Sequence, residues 1–287
     1  MYSAFDRLLP AALLAAMLAG TCSEIASAAT THSAANILRV CADPNNLPFS
    51  NARGEGFENA LAGLVAHDLK RSLEYTWWPQ RRGFIRNTLR AEKCDVVMGI
   101  PSNYKLARPT LPYYRSSYAF VTRRDGTAPI NSLDDPRLRQ LRIGIHVIGD
   151  DYNNVPPAKV LALRGIIDNL RGYTIYGDYS KPNPPRALID AVSRGEIDVA
   201  IAWGPIAGYF AKEQPVPLVV TPMSFALHAD AWQMAFDISM GVRENDEALQ
   251  HELDSVLARR HRDIQRLLAS YRIPVFSKPA AIARHDE

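Results

Sequence analysis

Residues 84–101, FIRNTLRAEKCDVVMGIP, and residues 187–205, ALIDAVSRGEIDVAIAWGP, follow one grammar. Each predicts an amphipathic helix, a short polar break, and a buried strand opening on Asp-Val. Phe84, Ile85 and Leu89 mark the apolar face of the first helix, and Leu188, Ile189 and Val192 that of the second. The uninterrupted apolar runs Val96-Val97-Met98 and Val199-Ala200-Ile201 suit a parallel sheet covered on both faces. A strand is expected ahead of each unit, over 37–40 and over 141–146. The same helix-and-strand unit thus occurs twice, which predicts an α/β protein of two lobes.

The extended stretch 118–122 then leaves the first lobe. The chain returns through a strand over 234–242 and two helices, 245–258 and 263–270, which end before Ile273-Pro274 because proline cannot continue the pattern. The expected divisions are a first part of lobe 1 over 29–121, lobe 2 over 122–233, and a return to lobe 1 over 234–287. Open α/β sheets bind ligands beyond the carboxyl ends of their strands, here the ends carrying Asp43, Pro101, Gly149 and Trp203.

The first 28 residues read as a secretory signal: Arg7, the apolar run Leu8 to Leu18, and an A-x-A site at Ala26-Ser27-Ala28. Cleavage after Ala28 predicts a periplasmic protein. Cys22 raises a lipoprotein alternative, but Ala19-Gly20-Thr21 makes a poor lipobox. No later segment approaches the roughly 18 apolar residues of a membrane span, so no membrane insertion is expected. Removing 28 of the 287 residues leaves 259, enough for two lobes. Asp6, Glu24 and Arg7 leave with the signal, moving the formal charge from +3 to +4. The basic runs Arg81-Arg82 and Arg259-Arg260-His261-Arg262 are short, and no nucleic-acid partner is expected.

The segments "CADPNNLPFSN" (41–51), "GEGFEN" (54–59), "YTWWPQRRGFIRNTL" (75–89) and "CDVVMGIP" with "PYYRSSYAFV" (94–101 and 112–121) carry a resemblance. The chain resembles type 2 periplasmic solute-binding proteins, and within them the quinoprotein-dehydrogenase-associated subfamily, which includes the J accessory proteins of methanol oxidation. The resemblance implies a cleft between two lobes. It also implies a non-catalytic role beside a pyrroloquinoline-quinone-dependent alcohol dehydrogenase. A transport receptor passing a small apolar or aromatic solute to an ABC permease is the alternative.

Amino-acid receptors of that superfamily hold the ligand's carboxylate with an Arg and its ammonium with an Asp, and offer helix-start amides to the carboxylate. Here Leu106 stands nearest the expected Arg, with Lys105 and Arg108 as substitutes after a register shift. Trp203 stands where the Asp would be, and Ile148-Gly149-Asp150-Asp151 replaces the amide-donating segment. The expected lining is therefore aromatic: Phe49, Trp78, Tyr113, Tyr114, Trp203 and Tyr209, with Trp77 and Tyr118 read as core. Asp43, Asn46, Pro101 and Asp150 join it from the strand ends, and Arg81 and Arg82 are candidates for a carboxylate or a partner's acidic patch.

No catalytic residue, cofactor or metal is expected. There is no G-x-S-x-G, H-E-x-x-H or P-loop pattern. Cys41 lacks the electropositive setting of a nucleophile, and His146 with Asp150-Asp151 reads as a turn-rich loop before it reads as a metal site. The compartment favours pairing Cys41 with Cys94. Strand register argues against it: level cleft ends put the two about five residues apart, roughly 16 Å along the strands, where a disulfide needs Cα atoms within about 7 Å.

Overall fold

The computed structural model describes residues 36–147, 155–175, 179–223 and 233–276. Strand β1 (Ile37–Ala42) buries Leu38 and Val40 completely. The short strands β2 (Asn45–Asn46) and β3 (Ser50–Asn51) pair with each other and lead into helix α1 (Phe57–Asp68). Gly56 permits that entry, since a Cβ there would sit 2.0 Å from the Phe49 carbonyl oxygen. The close approach lets the Pro48 and Phe49 carbonyls accept the N–H groups of Phe57 and Glu58, at 2.8 and 2.9 Å. Two of the donors a helix start leaves open are thereby satisfied.

Strand β4 (Ser72–Trp77), the single turn α2 (Phe84–Asn87), β5 (Val96–Pro101), β6 (Arg108–Pro109) and β7 (Tyr114–Arg123) follow. The helix expected from residue 84 is thus cut to one turn. Thr88 Oγ1 donates back to the Phe84 carbonyl at 2.6 Å, a local bond that competes with helix continuation. Phe84, Ile85 and Leu89 are buried nonetheless. Next come β8 (Ile143–Val147), α3 (Pro156–Leu163), β9 (Leu170–Thr174), α4 (Ala187–Ser193), β10 (Val199–Trp203), α5 (Gly204–Lys212) and β11 (Leu218–Pro222). Strand β12 (Ala235–Val242) and helices α6 (Glu247–Arg259) and α7 (His261–Ser270) complete the described chain.

The strand order is β4-β1-β5-β12-β7-β10-β8-β9, with β11 alongside β7 and β6 alongside β12. Strand β7 joins the two halves. Its Tyr114–Ser117 part pairs antiparallel with β12, and from Tyr118 onward it pairs antiparallel with β10. The parallel pairs β1–β5 and β8–β10 sit on either side of it. Two cores cover the first half, one built on Phe57, Leu61 and Met98 under α1, the other on Cys41, Phe84, Leu89 and Val97. Two more cover the second, around Ile143 and Leu161 and around Leu188 and Phe210.

The repeated unit has a second element in an arginine at the start of each parallel strand pair, Arg39 within β1 and Arg142 just before β8. Asp95, just before β5, accepts the Arg39 backbone N–H at 3.2 Å and its guanidinium at 2.5 and 2.9 Å. Asp198, just before β10, takes Arg142 in the same way at 2.8, 2.7 and 3.1 Å. Both pairs are 56 residues apart in sequence. The aspartate just ahead of each of these strands is therefore a bidentate clamp on the neighbouring strand.

The cysteines correct the register argument. Cys41 and Cys94 form a disulfide, with Cα atoms 5.5 Å apart. The pairing Cys41↔Val97 makes the offset three residues instead of five, and β5 begins only at Val96. Cys94 therefore belongs to the turn before the strand. It folds over the sheet face that Cys41 presents, among Phe84, Leu89 and Val97.

Candidate functional site

Four aromatic rings gather where β7, β10 and β12 meet. Trp203, the last residue of β10, lies edge-on to Tyr118 at 5.4 Å and to Phe236 at 5.9 Å between centroids. Tyr114, at the start of β7, stands on the same wall. Between these rings and the β1–α1 loop lies a cavity of about 300 Å³, at the small end of ligand pockets.

Of the residues expected at the site, Asn46, Phe49, Pro101, Tyr114 and Trp203 line this cavity. Tyr118, read as core, lines it as well while packing on the second half's core. Trp77 stacks on Tyr75 at 4.5 Å against the first core. Tyr113 is buried in that core, its hydroxyl donating to the Met98 carbonyl at 2.9 Å. Trp78 packs beside the disulfide with the Lys93 ammonium 4.7 Å over its ring. Tyr209 stacks on Tyr271 at 6.0 Å, away from the cavity. Arg81 and Arg82 are exposed and do not line it. Asp150 and Asp151 lie outside the described residues, as does the segment Ile148-Gly149.

Asp43 is 1 % exposed and works as a knot. One carboxylate oxygen accepts the Asn45 N–H at 2.8 Å; the other accepts the Gln80 N–H at 2.6 Å and the Tyr179 hydroxyl at 2.7 Å. Asn45 adds two bonds, from its amide to the Lys181 carbonyl at 2.8 Å and from the Asn183 N–H to its oxygen at 2.9 Å. The turn after β1 thus ties the first half of the protein to the segment ahead of α4.

The charged anchors of an amino-acid site are not on the cavity. Leu106 is exposed, and Lys105 lies at the surface beside it. Arg108 is committed to the Glu244 carbonyl at 2.7 Å and to Glu247 at 2.9 Å. No lining residue carries a positive charge among those described. His146 is buried, its Nε2 3.2 Å from the Pro185 carbonyl, which fixes the proton on that nitrogen. Burial lowers its pKa to about 4. Among the described residues no three His, Cys, Asp or Glu side chains gather as metal ligands.

Of the lining residues that the sequence reading passed over, Glu58 is the one that titrates. Burial pushes its carboxyl up to about 8, and what surface it retains opens onto the cavity. The signal was present: Glu58, Ala62 and Val65 share one stripe of α1, and the last two are buried. A carboxyl on an apolar stripe asks what it faces. It faces Gly99, whose hypothetical Cβ would lie 2.2 Å from Glu58 Oε1. Against β12, Ser239 to Gly241 spans two residues while β5 spans three, Ile100 to Val97. This β-bulge turns Gly99 toward α1, and bulges of this kind often re-aim groups beside a site.

No family model matches the chain. It is 30% identical over 254 residues to a protein named MoxJ from Methylorubrum extorquens, covering 84% of this chain and 82% of that one. Among solved structures, the periplasmic binding protein XoxJ from Methylobacterium extorquens AM1 is 36% identical with a TM-score of 0.69, covering 84% of this chain and all of that chain (100%). MxaJ from Methlophaga aminisulfidivorans MPT is 27% identical with a TM-score of 0.70, covering 83% of this chain and 100% of that one.

Proposed function

Since the chain belongs to the MoxJ family of periplasmic-binding-protein fold, we propose that it is a non-catalytic periplasmic accessory protein of methanol or alcohol oxidation. Its partner in this reading is a pyrroloquinoline-quinone-dependent dehydrogenase, which it helps to function or to mature. The carrying observation is the likeness to XoxJ and MxaJ across both halves of the fold, on a cleft whose lining, among the described residues, lacks the cation an amino-acid receptor needs. Export behind residues 1–28, with cleavage after Ala28, belongs to the same proposal. No helix of the described residues is long and apolar enough to cross a membrane. The test is deletion of the gene from its host, followed by quinoprotein dehydrogenase activity in the periplasmic fraction and co-purification with the tagged mature protein. Loss of activity together with recovery of the dehydrogenase is expected. Unchanged activity without co-purification would sink the accessory role.

A second reading rests on the cavity itself. A receptor delivering a small solute to an ABC permease needs such a preformed pocket. On either reading the common L-amino acids should give no calorimetric response. A micromolar dissociation constant, about 8 kcal/mol of binding, would contradict the assignment of Trp203.

A further inference from the structure

Glu58 is a carboxyl group without a counter-charge. Among the described residues no side chain donates to it, and no lining residue is cationic. The charges on the neighbouring strands are spent elsewhere. Asp237 alternates with the lining residues Phe236 and Ile238, so it points to the opposite face, where it pairs with Arg115 at 3.0 Å. The Gly99 bulge seats the carboxyl against bare backbone, leaving its other side to the cavity. Around that space stand the rings of Phe49, Tyr114, Tyr118, Trp203 and Phe236.

An isolated carboxylate facing aromatic rings is what a small organic cation requires. The carboxylate supplies the opposite charge, and ring faces attract a cation through their quadrupoles. An anion would meet Glu58 with nothing to offset the repulsion. We propose that the cavity binds a small organic monocation of the alkylammonium class, with Glu58 as its counter-ion and Tyr114, Trp203 and Phe236 around its apolar part. This deepens the reading of the cleft as a ligand site and is independent of the dehydrogenase partnership.

The proposal carries a proton signature. With the carboxyl raised to about 8 by burial, the unoccupied site is largely neutral at pH 7. A cation must displace that proton. The other titratable groups near Glu58 are Tyr75 from β4, Tyr113 just before β7 and Tyr114 at its start, all raised above the usual tyrosine value by burial. Strand β5 offers Gly99 and β12 offers Phe236 and Ile238, none of which titrates. Glu58 is therefore the only group in this set that can release the proton near neutrality.

The mature chain would be titrated calorimetrically with n-butylammonium, benzylammonium and tetramethylammonium, and with n-butanol and benzyl alcohol as neutral counterparts. Runs at pH 7 in buffers of different ionisation enthalpy measure proton release. At least one ammonium probe should bind with close to one proton released, and more tightly at pH 9 than at pH 6. Glu58→Gln should weaken it about tenfold or more and abolish proton release. Trp203→Leu should weaken it several-fold without changing proton release. If no ammonium probe binds, or if Glu58→Gln leaves its affinity intact, the proposal fails. Tighter binding of the alcohols than of the cations would also overturn it and assign the protonated carboxyl to a neutral ligand. Because dehydrogenase activity in the deletion strain is a separate readout, failure here leaves the accessory role standing, and the converse holds.

Discussion

Two titratable groups, Glu58 half-buried beside the cavity and His146 fully buried, set opposite limits on stability. Glu58 has an ordinary value of 4.5 and a folded one of about 8. The folded state therefore holds its proton more tightly, and stability falls as pH rises through that interval. His146 runs the other way, from 6.5 down to about 4, so its contribution is lost as pH falls below 6.5. Stability should be greatest between roughly pH 5 and 6.5. Glu58→Gln should raise the melting temperature at pH 8.5 by several degrees, on the order of a few kcal/mol, and change little at pH 5. His146→Gln should instead flatten the acid limb. Melts of the two variants that keep the wild-type pH profile would refute these assignments. The sequence displayed both residues but not their roles. His146 invited a metal reading that its contact with the Pro185 carbonyl makes unnecessary. Glu58 gained its meaning from a bulge in β5, and a one-residue slip between two strands leaves no mark in composition.

At the scale of elements, the repeated helix-and-strand grammar was legible because burial forces apolar runs wherever a parallel sheet is covered on both faces. The start of β5 was not. Cys94 and Ile197 hold equivalent places in the two repeats, both buried and both just before the clamping aspartate. The strands, however, begin after that aspartate, and a turn residue can reach across a face that a strand residue cannot. The bond between Cys41 and Cys94 closes a loop of 53 residues. Chain-entropy reasoning gives such a loop about 4 kcal/mol of stabilisation, an upper figure because the reduced chain keeps some structure. Alkylation of the denatured, unreduced protein should modify neither cysteine. Cys41→Ala with Cys94→Ala should lower the denaturant midpoint and steepen the slope, because the unfolded chain without the cross-link is less compact. Two alkylated cysteines would rule the bond out.

For the molecule as a whole, the turn "ADPNN" (42–46) is a fastening between the two halves. Asp43 to Tyr179 and Asn45 to Lys181 and Asn183 cross from one to the other. Each such hydrogen bond is worth about 1 kcal/mol net, so losing several shifts a closed-to-open equilibrium by an order of magnitude or more. Asn45→Ala with Tyr179→Phe should increase the radius of gyration in small-angle scattering and leave the melting of each half's core nearly unchanged. An unaltered radius would mean that the halves are held elsewhere. The two-lobed plan could be read from the sequence because it is written in apolar periodicity. The fastening could not, because its partners are 136 to 138 residues apart and speak only through single polar atoms.

The position of Trp203 makes the protein its own indicator. Of the four tryptophans, Trp77 and Trp78 pack on the first half away from the cavity, and Trp232 lies outside the described residues. Trp203 alone among those described lines the cavity, flanked by the rings of Tyr118 and Phe236. Indole emission shifts with local polarity and is quenched by neighbouring charge. An occupant beside Glu58, or a parting of the two walls, therefore changes the colour and lifetime of the protein's own fluorescence without any attached dye.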